Sequence, residues 1–260
     1  MTLEEVKEQI QPIDDKAVSA AQKRWDSIAK PLHSLGKMED LVMQIAGITG
    51  SPDINIKKRA LVAMCADNGV VEEGVTQTGQ EVTAIVAENF LQGDTSACVM
   101  CRQCGTDVFP VDIGMASDTK VPMDLKVMKG TRNMAKEPAM TREEAVQGIE
   151  AGIEMVRRLK AQGYALIATG EMGIGNTTTS SAVASVLLDQ PVETMTGRGA
   201  GLSSEGLKRK VAAIKKAVDL NRPDHQDPID VLAKVGGLDI AGMTGVFLGG
   251  AAMHIPVVID

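Results

Sequence analysis

The most constraining feature of this chain is a glycine-rich passage set between an apolar stretch and a helical one. Residues 164–169 are short and apolar and read as a buried strand. Gly170-Glu171-Met172-Gly173-Ile174-Gly175-Asn176-Thr177-Thr178-Thr179 follows, and residues 180–188 read as a helix. Glycines at a strand-to-helix turn take up positive φ cheaply and let the backbone approach a ligand closely. Asn176, Thr177, Thr178 and Thr179 are suitable helix N-caps. A helix N-terminus offers free N–H groups and positive potential to an anion. Glu171 places a carboxylate beside that anion site. The pattern points to an enzyme that holds a phosphate and works next to it.

The rest of the chain fits that reading. Its 260 residues suit one large domain, or a main domain with a small satellite. Aromatics are only 2% of the residues and the net charge is −7, so stacking platforms and polyanionic partners are not expected, and no nucleic acid is. No run of apolar residues is long enough for a membrane span, and the acidic start Thr2-Leu3-Glu4-Glu5 does not resemble a signal peptide. A cytoplasmic protein without membrane contact is expected.

Along the chain, residues 1–50 form a small helical segment, with a capping box at Thr2 and Glu5 and further helices over 17–29 and 38–48. Residues 51–260 form the main domain. Strands are expected over 59–66, 107–113, 125–128, 164–169 and 255–259, with Pro110 assigning 107–113 to an edge or irregular position. Helices are expected over 81–91, 94–104, 141–161 (with a capping box at Thr141 and Glu144) and 204–220, then two glycine-punctuated helices up to Met253. Strands alternating with helices specify an α/β fold: a Rossmann-like parallel sheet with helices on both faces, plus a small helical domain from the N-terminal helices. Ligands of such sheets bind beyond the carboxyl ends of the strands. Asp67-Asn68-Gly69, Asp112-Ile113-Gly114 and Gly170-Glu171 should converge there.

Other groupings are weaker. The glycine-rich passage lacks the Gly-Lys-Ser/Thr of a P-loop and the third glycine of a dinucleotide fingerprint. Gly197-Arg198-Gly199-Ala200-Gly201 precedes the cap candidates Ser203 and Ser204, and Lys208 or Lys210 could reach a phosphate or be an ordinary solvated lysine. Gln80 opens a helix and could bond a ligand. Cys98, Cys101 and Cys104 have part of an iron–sulfur spacing, but no fourth Cys follows. At i, i+3, i+6 on a helix they read as small hydrophobes. His33, His225 and His254 have no metal spacing, so no metal and no cofactor are expected.

Taken together, several segments resemble the nicotinate-nucleotide–dimethylbenzimidazole phosphoribosyltransferase family from about residue 30 to the end. Ala66-Asp67-Asn68-Gly69-Val70 is similar to that family's ADHGV, with Asn68 for the usual His. Gly79-Gln80-Glu81-Val82-Thr83 is similar to its PQEVT, and Gly170 through Thr178 to its signature, with Thr179 where Pro is usual. Gly197 through Leu202 resembles its GRGTGL, with Ala200 for Thr, and 230–244 and 255–260 match as well. The resemblance implies a pentosyltransferase that moves phosphoribose from nicotinate mononucleotide to 5,6-dimethylbenzimidazole or a related base, in cobalamin lower-ligand synthesis. It implies that Gly173, Ile174, Gly175, Asn176, Thr177 and Thr178, with Gly199, Ala200 and Lys210, cradle the ribose phosphate. It places Gln80 and Met172 in the base pocket, puts Glu171 near the reacting ribose, and suggests a homodimer.

The same resemblance implies a general base, a Glu in a C-terminal LGEGSGA-like segment, and no such segment occurs in these 260 residues. The expectation is a truncated chain that keeps its phosphate loop and lacks full turnover. Alternatives are a partner chain that supplies the base, or Glu171 acting as a weaker one. Rival readings are an inactive homologue that binds a mononucleotide or base, one subunit of a paired transferase, and a dinucleotide-dependent oxidoreductase on the same sheet.

Overall fold

A computed structural model describes residues 1–259. Three helices open the chain: α1 (Leu3–Gln9), α2 (Asp15–Asp26) and α3 (Lys37–Thr49). Strand β1 (Arg59–Ala66) leads through a 3₁₀ turn (Gly69–Glu73) to α4 (Glu81–Gln92) and α5 (Ser96–Cys104). Then come β2 (Thr106–Gly114), the long α6 (Arg142–Ala161), β3 (Leu166–Met172), α7 (Asn176–Leu187) and the short α8 (Val192–Met195). The chain continues through α9 (Ser204–Asn221), α10 (Pro228–Val235), α11 (Leu238–Ala252) and β4 (Val257–Val258).

The four strands form one parallel sheet in the order β2-β1-β3-β4. The apolar run RALVAMCA makes β1 a central strand, and its alternation sorts the two faces. Ala60, Val62, Met64 and Ala66 join the main core, which also takes in Ile149, Ile153 and Val156 of α6 and Leu238, Ala241 and Val246 of α11. Cys65 points the other way, into a smaller cluster with Ala87 of α4 and Met115. Helices therefore cover both faces, as the alternating pattern requires. Pro110 lies on β2 at the sheet edge, opposite Ala63, as expected of a residue that cannot donate to a central ladder.

The capping boxes at Thr2/Glu5 and Thr141/Glu144 both form. Leu3 and Val6 of α1 belong to the main core, and the Leu3 amide donates to Glu150 of α6, whereas α2 and α3 pack on each other.

Four expectations needed correction. Residues 125–128 form no strand: they run past the free edge of β2, where the Val127 amide donates to the Ile113 carbonyl, in an irregular stretch broken by turns. Strand β3 begins at Leu166 and continues through Gly170, Glu171 and Met172, because β1 offers a parallel ladder out to Cys65 opposite Met172. Helix α7 begins at Asn176, four residues before the expected start. Its N-cap is Gly175 at φ 96°, with no side chain capping it, so Asn176 to Thr179 lie inside the helix rather than at its cap. The last strand is shorter than the expected 255–259, and Asp260 lies outside the described residues.

The strand order fixes where a ligand can sit. The chain moves from β1 to β2 on one side and later returns to β3 on the other side of β1. The connections leaving β1 and β3 thus diverge, opening a crevice at the carboxyl ends of these two strands.

Candidate active site

At this switch point the glycine-rich loop folds back over the end of β1. A Cβ on Gly173 would collide with the Ala66 carbonyl and would lie 3.1 Å from Asp239 Oδ2 and 3.2 Å from Asn68 Nδ2. Gly175 combines its positive φ with a position where a Cβ would be 2.9 Å from Val71. Only glycine satisfies both the space and the dihedral there. Between them, the Ile174 amide donates to Thr83 Oγ1 at 3.0 Å, tying the loop to α4.

The uncapped start of α7 opens into a cleft of about 230 Å³. It is lined by Met172, Gly173, Ile174, Gly175, Asn176 and Thr177 from the loop, by Arg198, Ala200 and Leu202 from the second glycine cluster, and by Val75 to Thr78. No side chain caps this helix start; the Asn176 and Thr178 backbone amides donate to the Gly173 and Gly175 carbonyls, and the positive end of the helix gives the cleft an anion-attracting floor.

Lys210 lies directly behind that floor, against Thr177, without lining the cleft itself. Its side chain is only 1% exposed, buried beneath the second glycine cluster. Among the described residues its ammonium meets only neutral oxygens, Thr177 Oγ1 at 2.7 Å and the Gly197 carbonyl at 3.3 Å. Burial pulls its pKa below the usual lysine value. Gly199, at φ 55°, passes directly over it: a Cβ there would lie 2.8 Å from Thr177 Oγ1 and 3.5 Å from Lys210 Nζ. Lys208, the other candidate, is exposed and pairs with Glu205.

Of the expected phosphate-site residues, Gly173 to Thr177 and Ala200 line this cleft, whereas Gly199 and Lys210 sit behind it against Thr177 and Thr178 does not line it. Glu171, at the end of β3, accepts a hydrogen bond from the side-chain Nδ2 of Asn176, so its carboxylate stands at the start of α7. Thr178 is fully buried, and its hydroxyl has no hydrogen-bond partner among the described residues. Gln80 does not line the cleft; its amide donates to the Asn68 carbonyl at 3.1 Å and so braces the floor from below. Cys98, Cys101 and Cys104 lie on α5 and increase in exposure in that order. No group of three or more potential metal ligands is found among the described residues.

A phosphoribosyltransferase family model matches residues 10–260 of the chain. A protein of Acetivibrio thermocellus named nicotinate-nucleotide–dimethylbenzimidazole phosphoribosyltransferase is 54% identical over 241 residues, 92% of this chain and 69% of that protein. One of the same name from Ruminiclostridium cellulolyticum is 52% identical over 262 residues, covering 100% of this chain and 74% of that protein. The chain belongs to this phosphoribosyltransferase family. The crystal structure of CobT from Thermus thermophilus superposes with a TM-score of 0.87 at 37% identity, over 94% of this chain and 74% of that one.

Within this phosphoribosyltransferase, the strand-end groups Asp67-Asn68 and Asp112 meet under the loop as expected, and Asp239 of α11, not anticipated from the sequence, joins them in one polar layer. Asp67, Asn68, Asp112 and Asp239 are all fully buried. Asp112 is paired with Lys126 at 2.9 Å. Asp67 takes the Ala116 amide at 2.7 Å, and burial still holds its carboxyl above the usual range, while that amide and the Thr83 hydroxyl act to lower it. Asp239 is pushed up to about 6 by burial, against the opposing pull of the Ile240 amide and the Asn68 side chain. In the sequence, Asp239 looks like an ordinary first-turn acid at a helix N-terminus. The available signal was Gly236-Gly237 directly before it, which lets α11 start close against β1. Arg198 and Thr76 to Thr78 were missed for a simpler reason: their loops meet only in three dimensions.

Proposed function

We propose that this chain moves the phosphoribosyl group of nicotinate mononucleotide to N1 of 5,6-dimethylbenzimidazole or a related base, giving α-ribazole phosphate and nicotinate. The buried Lys210, facing neutral oxygens beneath an uncapped helix start, carries the reading. A phosphate in the cleft would receive its charge together with the loop and α7 amides. The names of the relatives at 54% and 52% identity support the same substrates.

In the transfer, the bond from the ribose C1′ to the nicotinate nitrogen breaks and a bond from C1′ to the benzimidazole nitrogen forms. The departing pyridinium nitrogen already carries positive charge, so it leaves as neutral nitrogen without an acid. The incoming base sheds one proton, which a carboxylate can accept. Among the residues around this cleft, Glu171 is the carboxylate placed to stabilise charge at the ribose or to accept that proton. Met172 lines the acceptor side. The protein is proposed to work in the cytoplasm as a homodimer; among the described residues no helix is long and apolar enough to cross a membrane.

The test combines titration calorimetry of nicotinate mononucleotide with chromatographic detection of nicotinate and α-ribazole phosphate. Saturable binding, abolished by inorganic phosphate in excess, is the expected outcome. A folded chain that ignores the mononucleotide overturns the reading. If product forms, Glu171→Gln should lower kcat at least tenfold while leaving mononucleotide affinity within about threefold, since it alters the chemistry more than the phosphate grip.

A further inference from the structure

Beneath the glycine loop lies a polar pair that the transfer chemistry does not use. Asn68, at the end of β1, and Asp239, in the first turn of α11, are both fully buried. Asn68 Nδ2 donates to Asp239 Oδ2 at 3.5 Å across a sequence separation of 171 residues, while Asp239 Oδ1 takes the Ile240 amide at 2.9 Å. Both partners press on the loop. A Cβ on Gly173 would lie 3.1 Å from Asp239 Oδ2 and 3.2 Å from Asn68 Nδ2, and one on Gly175 would lie 3.2 Å from Asn68 Cβ. Asn68 also receives Gln80 on its carbonyl oxygen, and its own Oδ1 is buried without a partner among the described residues.

We propose that Asn68 and Asp239 are positioning residues: their buried hydrogen bond sets the height and angle of Gly173 to Gly175, and so aims the loop amides and the start of α7 at the phosphate. The inference rests on the reading of this cleft as a phosphate site. The physical reason is economy of shape. A loop made of glycines has no side chains of its own to fix its path, so whatever it rests on decides where its amides point. Here it rests on two polar side chains from distant elements, one of them at the N-terminus of the helix that covers the sheet. A hydrogen bond between them locks strand end, helix start and loop into one arrangement.

The pair can be exchanged without changing its shape, and this gives the decisive experiment. In Asn68→Asp two carboxylates face each other in a dry site, so the pair repels unless one takes a proton. In the double variant Asn68→Asp/Asp239→Asn the donor and acceptor simply trade places, and the amide oxygen still serves Ile240. Affinity is measured for inorganic phosphate and for nicotinate mononucleotide at pH 7.5, with a thermal melt to show folding. Asn68→Asp should weaken both ligands at least tenfold, and the exchange should restore them to within about threefold of the wild type. Asp239→Asn alone should bind nearly normally, because Asn68 can turn its unpartnered Oδ1 toward the new amide. Asp239→Leu, similar in size, should lose binding while staying folded.

Failure of the exchange to restore affinity in a folded protein overturns the proposal. Should Asn68→Asp not fold, normal phosphate affinity in Asp239→Leu overturns it equally well. A wild-type chain that binds phosphate but not the mononucleotide refutes the substrate reading and leaves the exchange test decisive on phosphate. One that binds neither overturns both.

Discussion

A lysine sealed in the protein with only a hydroxyl and a carbonyl for company has given up hydration without gaining a counter-charge. That arrangement costs stability in the empty protein and is offset when an anion arrives. Among the described residues, Lys210 is in this position. Replacing it with Met, of similar length, should therefore separate stability from binding. Lys210→Met is expected to melt at or above the wild-type temperature, while affinity for nicotinate mononucleotide falls by about two orders of magnitude, from a charged hydrogen bond of about 2–3 kcal/mol. Calorimetry beside a melting curve checks both halves, and unchanged affinity would place the phosphate elsewhere. At this scale the sequence was readable where a residue type has few uses. Glycines flanked by hydroxyls before a helix have few explanations, so Gly173 to Thr178 stood out. Lys208 and Lys210 were indistinguishable, since both lie in the first two turns of one helix; only the packing of α9 shows that one is buried and the other paired with Glu205.

Helices α6 and α11 cover one face of the sheet, and their contact depends on missing side chains. A Cβ on Gly152 would meet the Gly242 carbonyl and sit 2.9 Å from both Gly245 Cα and the Val246 amide, and one on Gly148 would lie 2.8 Å from Ala241 Cβ. The obstacles are backbone atoms, which cannot rotate away. Gly152→Ala should thus cost about 2–3 kcal/mol by overpacking, seen as a lower denaturation midpoint at unchanged slope. It should also weaken the mononucleotide, because prying α11 off α6 shifts Asp239 under the loop; a loss of stability with binding intact would show that the helix start does not transmit to the site. Thr141→Ala, by contrast, removes one capping interaction at the start of α6 and should cost about 1 kcal/mol with no effect on affinity, read from the same denaturation and calorimetry. Elements of strong, uniform pattern were legible with their bounds: β1 is continuous apolar residues, and α6 opens with a capping box and carries a regular apolar stripe. The misjudged bounds all lie where a neighbour decides. Gly170 to Met172 extend as a strand because β1 provides the ladder, and α7 starts early because Gly175 can take the turn that a side-chain cap would otherwise make.

For the whole molecule, the buried acids give the folded state a pH dependence that runs against the usual direction for carboxylates. Asp239, held at about 6, keeps its proton in the folded protein at a pH where the unfolded chain has already released it. Its contribution is therefore fully present below the ordinary carboxyl value near 4 and is lost as pH rises through about 6. Asp67 is raised in the same sense. Glu154, pulled down to about 2 by Arg157 and Arg158, works oppositely: its contribution is present above the unfolded value near 4 and fades only in stronger acid. The net charge of −7 adds mutual repulsion among the remaining ionised acids as pH climbs. Stability should accordingly peak near pH 4.5–5.5 and decline toward pH 7.5, with Asp239 accounting for roughly 1–2 kcal/mol of that decline. Asp239→Asn removes the titrating group and keeps its hydrogen-bonding shape, so it should match the wild type at pH 4.5 and melt higher at pH 7.5. Thermal melts of both proteins across that range decide the matter. Parallel profiles would mean that Asp239 stays ionised at neutral pH at little cost, with the Ile240 amide and Asn68 sufficient to hold its charge. A flattened profile in the variant would mean that the polar layer which steadies the glycine loop does so at the expense of the fold, a cost concentrated at the carboxyl ends of the strands where the ligand is expected to enter.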